Sequence, residues 1–118
     1  MLNKAMVIGR LGKDPEQRNG VTSFSVATDE SYTDKNGQRI DRTEWHNVVT
    51  FGKTAEACSQ HLAKGSLVYV EGKLRTRKWQ DRSGADRYTT EINADRVLFL
   101  DRKTDSKPAF QNMEEVPF

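Results

Sequence analysis

Residues 42–79 read RTEWHNVVTFGKTAEACSQHLAKGSLVYVEGKLRTRKW and change periodicity twice. Both ends of this stretch are rich in Val, Thr and aromatic residues, which is typical of β-strands. Between them, residues at helical spacing are Ala55, Cys58 and Leu62. Thr54 is a suitable N-cap for this helix and Gly65 a natural C-terminal stop. The stretch therefore predicts a strand, a helix and a second strand.

Strand-like segments also lie on both sides of this stretch. They are KAMVIGRL (4–11), VTSFSVAT (21–28) and RYTTEINADRVLFL (87–100). Asn36-Gly37 and Ser83-Gly84 are typical of hairpin tips. Three strands, one helix and two strands are the order of an all-β, five-stranded Greek-key barrel of the OB type, with its helix between strands 3 and 4. Other small α+β domains share this order, so it does not decide the fold alone.

The length of 118 residues suits one domain. After Leu100 the sequence becomes polar and aperiodic, so we expect a domain over residues 1–101 and a short, disordered, flexible tail over 102–118. No apolar run approaches the roughly 20 residues of a membrane span, and the N-terminus lacks a secretory signal. One cysteine excludes an internal disulfide. These features predict a cytoplasmic protein.

Few residues suggest catalysis. Cys58 and His61 lie three apart on the predicted helix, but two ligands are too few for a zinc site. The sequence contains no glycine-rich phosphate loop of Walker spacing. We therefore expect no enzyme activity, no metal and no cofactor, and we interpret Cys58 and His61 as structural.

The strand over residues 67–79 separates into two faces, because side chains alternate along a strand. One face, suited to a core, would carry Val68, Val70, Gly72, Leu74 and Thr76. The other would carry Lys73, Arg75, Arg77 and Trp79. Residues 73–87 hold six bases against two acids, although the whole chain has a net charge of only +2. A local basic stripe is typical of a phosphate-binding surface.

The preceding strand also carries aromatic residues on one face. Its alternation groups Trp45, Asn47, Val49 and Phe51. Either face of this strand could be internal, but the neighbouring cationic face favours an exposed aromatic one. Aromatic rings stack on unpaired bases while Arg and Lys neutralise phosphates. The sequence therefore predicts a surface for single-stranded nucleic acid.

The stretch TEWHNVVTFGKTAEACSQHLAKGSLVYVEGKLRTRKWQDRSGADRYTTE (43–91) strongly resembles the bacterial single-stranded DNA-binding proteins. NKAMVIGRLGKDPE (3–16) and ATDESYTDKNG (27–37) extend the likeness over roughly residues 1–100. The resemblance implies an OB fold, a homotetramer and sequence-independent binding of single-stranded DNA in replication, recombination and repair.

The same resemblance implies roles for individual residues. The family's stacking aromatics fall on Tyr32, Trp45, Phe51 and Trp79. The implied phosphate contacts are Lys73, Arg75, Arg77, Lys78 and Arg87. His46, within the matching TEWH, is implied to lie near the subunit interface.

The chain ends in MEEVPF, and the family ends in an acidic tip that recruits replication, repair and recombination proteins. The corresponding residues here are Glu114, Glu115, Val116, Pro117 and Phe118. Two alternatives stay open. A related OB module could bind RNA or act in primosome assembly, and an adaptor protein could use the basic face to contact an acidic partner.

Overall fold

A computed structural model of the chain describes residues 1–101. Over these residues the elements in chain order are β1 (Ala5–Leu11), β2 (Glu16–Arg18), β3 (Val21–Asp29), β4 (Tyr32–Thr33), β5 (Arg39–Ile40), β6 (Thr43–Phe51), α1 (Gly52–His61), β7 (Leu67–Gln80) and β8 (Asp86–Phe99). The two longest strands, β7 and β8, form one antiparallel hairpin.

Five of these strands close into a barrel. β1 pairs with β7, β7 with β8, and β3 with β6, all antiparallel. β6 and β8 run parallel through Asn47–Val49 and Glu91–Asn93. The ring closes where Arg10 and Leu11 of β1 pair with β3. This arrangement confirms the predicted OB-type barrel, with α1 between its third and fourth strands.

The core follows the alternation of the strands. Its buried members are Leu11, Phe24, Val26, Val48, Cys58, Leu62, Val68, Val70 and Ile92. Two buried threonines are hydrogen-bonded inside the barrel. Thr22 Oγ1 donates to the Ala55 carbonyl at 2.8 Å and joins β3 to α1, and Thr50 Oγ1 donates to the Thr22 carbonyl at 2.7 Å and joins β6 to β3. Because both hydroxyls are satisfied, they are tolerated inside the barrel.

The helix begins earlier and ends earlier than the sequence predicts. Its N-cap is Phe51, and Gly52 has a φ of 59°, which turns the chain directly from β6 into α1. Thr54 therefore lies in the first turn and is not the N-cap. The helix ends at His61, and Gly65, with a φ of 90°, belongs to the following turn. No helix of residues 1–101 is long and apolar enough to cross a membrane.

Beyond Gly72 the outer part of the β7–β8 hairpin projects from the barrel, and we call this part, residues 73–91, the arm. Leu74 is 49% exposed and Thr76 is also exposed, so the prediction that both belong to the core is wrong. The physical reason is that no other element of residues 1–101 covers this half of β7. From Lys73 to Gln80 every residue of the strand is exposed, and among the described elements the strand pairs only with β8.

Two small features lie in segments predicted as loops. β2 pairs with β3 across a turn at Asn19 and Gly20, both with positive φ. β4 and β5 form a separate two-stranded ribbon whose tip contains Asn36 and Gly37. The turn of the arm contains Ser83-Gly84, so both predicted hairpin tips are confirmed.

Candidate nucleic-acid interface

One face of the arm carries the predicted indole and cations. Arg77 pairs with Thr89 and Trp79 with Arg87 across the ladder, so these four side chains share a face. The Trp79 Nε1–H donates to Thr89 Oγ1 at 2.8 Å, while the residue stays 40% exposed. The indole is therefore anchored by its polar edge, and part of its ring surface faces solvent.

Strand β6 supplies the second part of this surface. Val48 and Thr50 are fully buried, whereas Trp45 is 55% and Phe51 49% exposed. The face that carries Trp45 and Phe51 therefore points outward, as the sequence analysis favoured. Both rings are therefore accessible to a ligand on the outer face of β6.

Gly12 makes room for one of these rings. A Cβ built on Gly12 would lie 2.3 Å and 2.6 Å from two ring carbons of Trp45, which is closer than packing allows. The indole therefore rests directly on the backbone at the end of β1. This close approach fixes one side of Trp45 and leaves the other side open.

The arm and β6 meet in a shallow depression of about 390 Å³. Phe51 from β6 and Arg75 and Arg77 from the arm all line it. An apolar ring and two guanidinium groups thus face one concave space. A nucleotide offers the complementary pair of features, a flat base and an anionic phosphate.

Tyr32 lies apart from these aromatics. It belongs to the β4–β5 ribbon, which is a sheet of its own, and it is 49% exposed. The structure therefore brings Trp45, Phe51 and Trp79 onto the barrel and arm but does not place Tyr32 in the same sheet. Its stacking role stays a prediction.

The five predicted phosphate contacts are not equivalent. Three of them pair with carboxylates: Arg77 with Glu91 at 3.1 Å, Lys78 with Asp86 at 3.5 Å and Arg87 with Asp81 at 2.8 Å. Within residues 1–101, Lys73 and Arg75 have no ion-pair partner. Lys78 also lies on the opposite face of the arm, opposite Tyr88.

Asp81 organises the tip of the arm. Its Oδ1 accepts hydrogen bonds from the backbone N–H groups of Ser83 and Ala85, and its Oδ2 accepts one from Arg87 Nε. Hydrogen bonds from Ser83 and Arg87 lower the pKa of Asp81 from 3.8 to about 2. The tip is therefore pre-organised with Asp81 ionised at neutral pH.

The sequence analysis missed the residues of β8 that face the arm's cations. Thr89 holds the indole of Trp79, and Glu91 holds Arg77. A signal was available, because a hairpin centred on Ser83-Gly84 places residues 89 and 91 beside residues 75–79. Applying strand alternation to RYTTEI, as well as to KLRTRKW, would have found both.

The remaining predicted residues lie away from this surface. His46 is half-buried in β6, with its Nε2 2.9 Å from Thr28 Oγ1, and its role at a subunit interface stays a prediction. Cys58 lies in the core, where burial raises the pKa of its thiol to about 11. The His61 ring packs against Phe99, with centroids 5.8 Å apart. The predicted partner-binding tip, Glu114–Phe118, lies outside the described residues.

The barrel, the arm and their aromatic and cationic surface define an OB-fold protein of the kind that binds nucleic acid on one open face. The model of the Single-strand binding protein family matches residues 2–100, and the chain belongs to that family. It is also similar to a solved structure of a Plasmodium falciparum SSB in complex with ssDNA. That match has 37% sequence identity and a TM-score of 0.73, and covers 86% of this chain and 97% of the other.

Proposed function

We propose that this chain binds single-stranded DNA without sequence preference. The observation that carries the proposal is the depression in which Phe51 lies beside Arg75 and Arg77, with Trp79 further out on the same face of the arm. The Plasmodium falciparum relative is complexed with ssDNA, which supports the same ligand here. Bases would stack on Trp45, Phe51, Trp79 and Tyr32.

Phosphates would contact the cations that border these rings. Lys73 and Arg75 are the strongest candidates because they have no carboxylate partner in the described chain. Arg87 shares their face, whereas Lys78 lies on the other face of the arm and would contribute less. Each phosphate contact on a single strand steepens the dependence of log K on log salt by roughly 0.7.

We also propose that the chain assembles into a homotetramer. The support is an exposed apolar surface that contains Met6, Ile8 and Leu98; in the sheet Ile8 pairs with half-buried Tyr69, and Tyr69 pairs with Leu98. Within residues 1–101, one edge of β1 pairs with β7, and the other pairs with β3 only at Arg10 and Leu11, so the rest of that second edge is unpaired. Sedimentation equilibrium measures the assembly state, and a monomer at micromolar concentration would contradict this part.

A protein of this family that coats single strands would act in replication, recombination and repair in the cytoplasm. We propose that the terminal residues 114–118 recruit the proteins of those processes. The combination of two acids and an apolar ring suits capture by a basic pocket with an apolar floor. Removing these five residues should abolish partner binding and leave the DNA-binding surface intact.

Titration of the full chain with poly-dT, followed by tryptophan fluorescence at two salt concentrations, tests the central proposal. Stacking of bases on Trp45 and Trp79 should quench the emission, and the affinity should fall as salt rises. A duplex of equal length is the control and should not quench, because its bases are already stacked. Absence of quenching by poly-dT at both salts would contradict the proposal.

Titration with an RNA oligomer of the same length as the oligo-dT, at the same salt concentration, tests the alternative that the chain binds RNA. Tighter binding of RNA than of oligo-dT would favour an RNA-binding module. An adaptor that contacts acidic proteins would show no change in fluorescence with either.

A further inference from the structure

Glu91 is an acid on the cationic face of the arm. Its side chain is only 12% exposed, while that of its partner Arg77 is 57% exposed. The Arg77 Nε–H donates to Glu91 Oε2 at 3.1 Å, so the carboxylate holds the guanidinium near its base and leaves its outer end in solvent. A carboxylate at this position would repel an anionic ligand, unless its charge is compensated by a neighbouring cation.

The choice of partner is informative. In the ladder, Glu91 lies directly opposite Arg75, and Arg77 lies opposite Thr89. Glu91 nevertheless bonds diagonally to Arg77 and leaves Arg75 without an ion pair among residues 1–101. Two arginines on one face therefore carry different effective charges: Arg75 is a free cation, while Arg77 is already neutralised.

The Arg77–Glu91 pair lies between two depressions and lines both. The first is the space of about 390 Å³ that also contacts Phe51 and Arg75. The second is a more polar space of about 250 Å³ that Asn47 and Thr89 line. The ion pair therefore separates two adjacent depressions on the same face of the protein.

We propose that Glu91 is a positioning residue of the DNA-binding face. Its carboxylate compensates the charge of Arg77 and fixes the plane of that guanidinium between two sites for bases. The inference rests on the proposed binding of single-stranded DNA. Arg77 then contacts bases through its plane and edge, as Arg does on unpaired bases, and adds little phosphate-neutralising charge. Arg75 and Lys73 supply that charge instead.

The reason is counterion release. DNA phosphates carry condensed cations, and a protein cation that neutralises a phosphate releases them, which makes the affinity depend on salt. Because the Glu91 carboxylate already compensates the charge of Arg77, Arg77 neutralises little phosphate charge and releases few of these cations. Removing the charge of Glu91 while keeping its shape should convert Arg77 into a second free cation.

Salt titrations of the full chain with oligo-dT test this role, using Glu91→Gln and the double variant Arg77→Gln/Glu91→Gln. Glu91→Gln should bind more tightly at low salt, and its plot of log K against log salt should be steeper by roughly 0.7. The double variant removes a neutral pair and should keep the wild-type slope. Asp86→Asn is the matched control, because it changes the net charge equally but frees Lys78 on the opposite face.

Three results would overturn the inference. The first is a wild-type slope for Glu91→Gln, and the second is an equal steepening by Asp86→Asn. The third is a double variant with a slope flatter by roughly 0.7, which would show that Arg77 neutralises phosphate in the wild type. The double variant decides the question even if Glu91→Gln alone does not fold. If the wild type fails to bind oligo-dT, the proposed function itself is wrong, so the two failures are distinguishable.

Discussion

The two halves of β7 differ although they belong to one continuous strand. From Leu67 to Gly72, every second residue is buried and the strand forms a wall of the barrel. From Lys73 to Gln80, the residues on both faces of the strand are exposed, and within the described chain the strand pairs only with β8. The inner half contributes to folding, and the outer half holds the candidate binding groups in regular strand geometry.

This difference shows how a small barrel extends its binding surface without enlarging its core. The arm is stabilised by its own ladder, by the Asp81 turn and by cross-strand contacts such as Thr76 Oγ1 to Thr90 Oγ1 at 2.9 Å. Its side chains are therefore free to be selected for a ligand. Substitutions on the two sides of Gly72 should separate stability from binding.

The largest effect is expected at the boundary itself. A Cβ on Gly72 would lie 2.1 Å from the Asn93 carbonyl oxygen and 2.7 Å from the Ala94 Cα, both backbone atoms that cannot move aside cheaply. Gly72→Ala should therefore destabilise the fold by about 3 kcal/mol in urea unfolding, at the upper end of typical overpacking costs. The control is Leu74→Ala in the arm, which should cost less than about 1 kcal/mol. Equal losses of unfolding free energy for the two variants would contradict the proposed difference between the two halves of β7.

A smaller effect is expected from the free cations of the arm. Arg75→Ala should flatten the salt dependence of oligo-dT binding by roughly 0.7, because one phosphate contact is lost. Lys78→Ala removes the same charge from the other face and should change the slope much less. Isothermal titration at three salt concentrations measures both. Identical slopes for both variants would mean that the two faces of the arm are not distinguished.

The smallest effect concerns the tip of the arm. Because the pKa of Asp81 is lowered from 3.8 to about 2, its contribution to the order of the tip is present above pH 3.8 and is lost as the pH falls through about 2. An NMR titration of the Asp81 carboxyl carbon should give a midpoint at about 2 in the folded protein. The same titration in denaturant should give an ordinary midpoint near 3.8, and equal midpoints would exclude a pre-organised tip.

Much of the fold could be predicted from the sequence because it depends on local patterns. Alternation in VTSFSVAT and LVYV identifies the buried faces of β3 and β7, and Ala55 and Cys58 identify the buried side of α1. The limits of α1 could not be predicted, because Gly52 turns the chain into the helix without a side-chain cap. Propensity rules favour a capping residue such as Thr54 at that point.

The site was predictable in part. Alternation in RTRKW placed Arg75, Arg77 and Trp79 together, and the structure keeps them on one face. The same alternation wrongly assigned Leu74 to the core, because a strand pattern does not reveal where a hairpin leaves the barrel. The partner of Arg77 was also hidden, since Glu91 bonds diagonally rather than to the residue directly opposite.

The central claim is that the arm serves binding rather than folding, and Trp79→Ala tests it most directly. Stacking of one base contributes about 1–3 kcal/mol, a range measured on OB-fold proteins of this same kind, so oligo-dT affinity should fall roughly 5- to 150-fold. The free energy of unfolding in urea should fall by no more than about 1.5 kcal/mol, because Trp79 lies outside the core and its replacement removes one hydrogen bond, to Thr89. Unchanged affinity together with a large loss of stability would contradict the account.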